Sequence, residues 1–106
     1  MLDLAFGLRN GLFMTVADAI HRKLTDALAP VELTIVDDSA RHEGHAGHRP
    51  GGETHFTVRI VSPSFTGISR VERQRRVYTV LADEMKSQIH ALALTTLAPG
   101  EDGRTS

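Results

Sequence analysis

The segment from Glu53 to Ser62 constrains this chain more than any other. Phe56, Val58 and Ile60 alternate with His55, Thr57 and Arg59. A period of two marks a strand with one buried face and one wetter face. Pro63 ends it, because proline has no N–H to give a ladder. Any fold must therefore cover one side of this strand and leave a histidine, a threonine and an arginine on the other.

The flanking segments supply the partners. Leu33-Thr34-Ile35-Val36 is short, β-branched and alternating, and closes at the turn Asp37-Asp38-Ser39, so it is predicted as a strand. Upstream, Thr15 is a predicted N-cap with Asp18 three residues on. Val16, Ile20, Leu24, Ala27 and Leu28 follow at helical spacing, and Pro30 stops the helix near Leu28 or Ala29. After Pro63, Ser64-Phe65-Thr66-Gly67 reads as a turn. Ser69 then caps a helix predicted to run to about Gln88, with Val71, Tyr78, Leu81 and Met85 on one stripe and Val77 and Val80 at its flanks. A last strand is predicted over Ala91–Leu97.

The order is α-β-β-α-β. The first two strands, joined by a loop, pair antiparallel. The second and third, joined through a helix, become parallel neighbours by a right-handed crossover. The expected fold is α+β, a three-stranded mixed sheet with helices on one face. A length of 106 residues with 41% hydrophobic residues fits one domain with a modest core. Its expected limits are 15–98, between an N-terminal extension (1–14), read as disordered or as a start called too early with Met14 as the second methionine, and a disordered tail (99–106). Residues 1–13 lack the basic n-region and cleavage site of a secretory signal, and one arginine is too few for a mitochondrial-type leader. No long apolar run spans a membrane, and a net charge of −1 gives no global basic field for nucleic acid.

Catalytic motifs are missing. The chain has no cysteine nucleophile, no Gly-x-Ser-x-Gly elbow, no phosphate loop and no His-Glu-x-x-His helix. Asp37 and Asp38 are adjacent and point to alternate faces, so they do not flank one substrate. The expectation is a protein that is not an enzyme.

The chemistry lies in the histidines. His42, His45 and His48 recur every third residue in a loop (39–52) that also holds four glycines and Pro50. His90 stands where the long helix meets the last strand, in Ile89-His90-Ala91-Leu92. Neutral imidazole is the commonest metal ligand. With no cysteine, cluster chemistry here must use histidine plus a partner's sulfur, and no disulfide framework exists. Other readings stand beside this one. His90 could cap the last helical carbonyls. The loop could hold Zn²⁺, Ni²⁺ or Cu²⁺ weakly through H-x2-H-x2-H. His55 reads as structural, bonding backbone or Glu53, and His21 as a surface or boundary residue.

Taken together, Leu33–Ser39 (LTIVDDS), Glu53-Thr54-His55-Phe56, Ile60-Val61-Ser62, Phe65-x-Gly67, Val71-x-Arg73-x-Arg75 and Ile89-His90-Ala91-Leu92 resemble the BolA family over residues 15–97 or so. The resemblance implies a fold like the class II KH domain, in agreement with the order above. It also implies a monothiol glutaredoxin as partner and a [2Fe–2S] cluster shared with that glutaredoxin and glutathione. His90 would be the characteristic ligand. A loop histidine would be the second, ranked His42, then His45, then His48. The implied place is the cytoplasm, or the mitochondrial matrix in a eukaryote, and a homodimer without the partner stays open.

A second function rests on Arg70, Arg73, Arg75 and Arg76, four cations in seven residues offset by Glu72. Arg70, Arg73 and Arg76 fall near one helix face. Members of the resembled family have been linked to transcriptional control, so the patch reads as a DNA contact or as a docking face for an acidic protein. Two features weigh against DNA. The turn Gly67-Ile68-Ser69-Arg70 lacks the Gly-x-x-Gly clamp of KH domains, and few residues here can read base edges. The family's usual Arg-His-Arg is Arg73-Gln74-Arg75 here, which puts in doubt any partner role of that histidine.

Overall fold

The computed structural model describes residues 15–38 and 55–101. Helix α1 (Val16–Leu28) starts on the predicted capping box. The Thr15 hydroxyl accepts the Asp18 N–H at 3.0 Å, and the Asp18 carboxylate accepts the Thr15 N–H at 3.2 Å. Such a pair satisfies two orphan donors reciprocally. The helix stops where expected: Ala29 turns left-handed (φ 44) just before Pro30. Ile20, Leu24 and Leu28 are buried, whereas Ala27 is exposed.

Strands β1 (Glu32–Asp37), β2 (His55–Val61) and β3 (Ala91–Leu97) form one sheet in the order β1-β2-β3. β1 pairs antiparallel with β2, and β2 parallel with β3. The period of two on β2 holds: Phe56, Val58 and Ile60 are at most 1% exposed and form the centre of the core. Leu33 and Ile35 of β1 and Leu92 and Leu94 of β3 pack on the same cluster, as do Ile20, Leu24 and Leu28 of α1. The helices thus cover one face of a mixed sheet, an α+β layer as expected. Ser62 locks the end of β2 to α1. Its hydroxyl donates to the Leu28 carbonyl at 2.5 Å, one of the acceptors a helix C-terminus leaves open.

A 3-10 turn (Pro63–Phe65) and Gly67 (φ 78) follow, where the sequence reads only as a turn. The crossover then departs from expectation. The helix predicted to run unbroken to Gln88 is two: α2 (Arg70–Val80) and α3 (Ala82–Ser87). Leu81 between them has φ −99 and ψ 19, outside helical values. Val77, Thr79 and Val80 are β-branched, which weakens the helix before this point. The inward stripe also differs. Arg73, Val77, Leu81 and Glu84 are buried, while Val71 is 61% and Tyr78 39% exposed. Hydropathy misplaces the stripe because two of its inward positions carry charge. Glu84 meets the Lys23 ammonium of α1 at 2.7 Å.

The expected tail from residue 99 is corrected in part. The Glu101 N–H donates to the Ala98 carbonyl at 3.1 Å, so residues 99–101 close the domain. The extension 1–14 and residues 102–106 lie outside the described residues.

Candidate metal centre

The parallel pairing of β2 with β3 decides where the histidines meet. His55 opens β2 and stands in register with Ala91, which opens β3. His90 is the residue before Ala91, so both imidazoles fall at the same end of the sheet. Their ring centroids are 5.3 Å apart with planes inclined at 56°. Asp38 closes the same corner, its N–H donating to the His55 carbonyl at 2.8 Å and its carboxylate accepting the Thr57 hydroxyl. An open cavity of about 420 Å³ lies here, lined by Asp38, His55, Phe56, Thr57, Ala91, Leu92 and Ala93.

His90 is exposed, and its position is set by what precedes it. Ile89 is only 5% exposed and joins the core. The Gln88 and Ile89 N–H groups both donate to the Glu84 carbonyl at 2.8 Å. Backbone donors therefore cap that carbonyl, and the His90 ring does not. The ring stands beside that of His55. The sequence reading misses this pair. The signal was present, since the openings of two parallel neighbours must lie at one edge, and each opening carries a histidine.

His42, His45 and His48 lie outside the described residues. Among the described residues, no group of three histidine, aspartate or glutamate side chains comes together that could hold a metal ion. Two imidazoles fill half of a tetrahedral shell, which leaves room for further donors. His21 is exposed on α1, as expected.

The basic helix divides. Arg70 and Arg75 are exposed and Arg76 half-buried, with Arg75 and Arg76 at 3.6 and 3.8 Å from the Glu72 carboxylate. Arg73 does not share that surface. It is 5% exposed, donates to the Ile68 and Thr96 carbonyls at 2.7 and 3.2 Å, and clasps both Glu101 oxygens at 2.6 and 3.0 Å. Its guanidinium carbon lies 5.9 Å from the centre of the Phe65 ring. These contacts hold the Glu101 carboxyl down to about 2, chiefly through the Arg73 hydrogen bonds and then the Ala98 N–H.

The family model described as BolA-like protein matches residues 24–101. An uncharacterised Sinorhizobium protein is 41% identical over 95 residues, covering 86% of this chain and 99% of its own length. The DNA-binding transcriptional regulator BolA of Escherichia coli is 43% identical, covering 78% of this chain and 75% of that protein. SufE-like protein 1 of Arabidopsis thaliana, chloroplastic/mitochondrial, is 48% identical over 77% of this chain; the match spans only 23% of that protein's length. Its solved BolA domain superposes with a TM-score of 0.72 at 45% identity, covering 82% of this chain and 95% of that one.

Proposed function

This chain belongs to the BolA family, and from that premise we propose that it is a non-enzymatic adaptor in iron–sulfur handling, pairing with a monothiol glutaredoxin and sharing a [2Fe–2S] cluster. The observation that carries this reading is the state of His90. Its ring is exposed and caps no helix, on a backbone that buried Ile89 anchors. A ligand offered to another molecule's cluster needs that combination of reach and fixed position.

Glutaredoxin and glutathione supply the thiolates that this cysteine-free chain lacks. His90 supplies one imidazole and a loop histidine the second, His42 ahead of His45 and His48. Imidazole in place of thiolate removes negative charge from one iron and raises the reduction potential, as in Rieske centres. It also makes the shared cluster sensitive to pH, because the ring must lose its proton to ligate. The site of action is the cytoplasm or an organelle of the kind printed in the names of the plant relatives. Among the described residues no helix is long and apolar enough to cross a membrane.

The test is reconstitution with a monothiol glutaredoxin and glutathione, followed by visible absorption and circular dichroism. Adding this protein is expected to give a new cluster spectrum that His90→Ala does not give. An identical spectrum with and without the protein would refute the adaptor.

A second reading has an observation of its own. The Escherichia coli relative is named a DNA-binding transcriptional regulator, and Arg70 and Arg75 present cations on the outer side of α2. On that reading the helix would contact phosphates.

A further inference from the structure

The shared cluster uses His90 and a loop histidine and gives His55 no part. Yet His55 is the imidazole that stands against His90, with ring centroids 5.3 Å apart and planes inclined at 56°. That is the spacing of two rings on one tetrahedral ion. A metal–nitrogen bond of about 2.0–2.1 Å, extended by about 1.1 Å to each ring centre, puts the two centres about 5 Å apart at a tetrahedral angle. The inclination is far from a face-to-face stack.

The backbone sets this juxtaposition. His55 is in register with Ala91, and His90 is the next residue back along the chain. Ile89, immediately before, is fixed in the core. Asp38 lines the same cavity as His55 and adds a carboxylate to the corner. Imidazole is a borderline donor that suits zinc, copper and nickel rather than magnesium or calcium.

We propose that His55 and His90 together chelate one divalent ion of borderline softness, Zn²⁺ by its tetrahedral preference, when no protein partner is present. Water completes the shell. The inference does not depend on glutaredoxin, but it bears on it: an ion held here occupies His90, so zinc and a shared cluster exclude each other. His55 becomes a ligand where the sequence reads it as structural.

The experiment is a Zn²⁺ titration of the full chain, without glutaredoxin or glutathione, followed by calorimetry and by NMR of the histidine rings. It compares the wild type with His55→Ala, His90→Ala and a variant carrying His42→Ala, His45→Ala and His48→Ala. One Zn²⁺ per chain is expected, with both the His55 and His90 ring signals shifting. Each single substitution is expected to weaken binding by at least about tenfold, the least that losing even a supporting partner of a metal ligand costs. The loop variant is expected to bind nearly as the wild type does. Absence of binding in the wild type, wild-type affinity in His55→Ala, or loss of binding in the loop variant overturns the proposal. His55→Gln, checked by its backbone amide spectrum, guards against misfolding; wild-type affinity there overturns it equally. None of these outcomes touches the cluster reading, which fails only in the presence of its partner.

Discussion

The guanidinium of Arg73 spends its donors inside the protein, on the Ile68 and Thr96 carbonyls and on both oxygens of Glu101. A planar fork matched to a carboxylate is the pairing arginine makes best. Its consequence is a pH dependence of stability. The Glu101 carboxyl is held down from 4.5 to about 2, mainly by the Arg73 hydrogen bonds. An acid depressed on folding stabilises the fold fully above its unfolded value, and that contribution is lost as pH falls through the folded value. Glu101→Gln is therefore expected to melt below the wild type at pH 7, with a constant gap down to about pH 4.5 that closes toward pH 2. Melting temperatures followed by circular dichroism at several pH values check this; a gap independent of pH would deny the clamp. None of it is legible in the sequence. Hydropathy assigns arginine to solvent, and Glu101 lies in a stretch that composition alone reads as tail.

α2 shows what happens when one charged residue turns inward. The spacing of Arg70, Arg73 and Arg76 puts three cations on one face, but Arg73 is buried, so the outer surface keeps Arg70, Arg75 and, half-buried, Arg76. This changes how the nucleic-acid reading must be tested. Arg73→Ala would dismantle the contacts to Glu101 and Thr96, so loss of binding there would say nothing about DNA. The informative variant combines Arg70→Ala, Arg75→Ala and Arg76→Ala. If α2 neutralises phosphates, the slope of log affinity against log salt falls by about one per removed cation, about three in all. Fluorescence anisotropy on duplex DNA measures it, and an unchanged slope removes the helix from consideration. The break at Leu81 escapes the sequence reading for a related reason. The apolar period continues through it, and only the local weakness of Val77, Thr79 and Val80 hints at the interruption.

Across the whole molecule, most of the architecture is legible because periodicity and connection rules act together. The alternation on β2, the short strand before it and the crossover after it specify a mixed sheet with a parallel pair. That pairing carries His55 and His90, 35 positions apart by number, to one edge with their rings 5.3 Å apart. Residue types alone name His90, through its resemblance to a known motif. The part played by His55 needs the register, which no composition shows. The most direct measurement is pulsed EPR of the reduced cluster in the complex with glutaredoxin and glutathione, with only this protein's histidines labelled with ¹⁵N. If His90 is a ligand, the cluster spin shows strong ¹⁵N hyperfine coupling, and His90→Ala removes that nitrogen's signal. A cluster with no ¹⁵N coupling, or one whose coupling is unchanged in His90→Ala, would contradict the adaptor role at its centre.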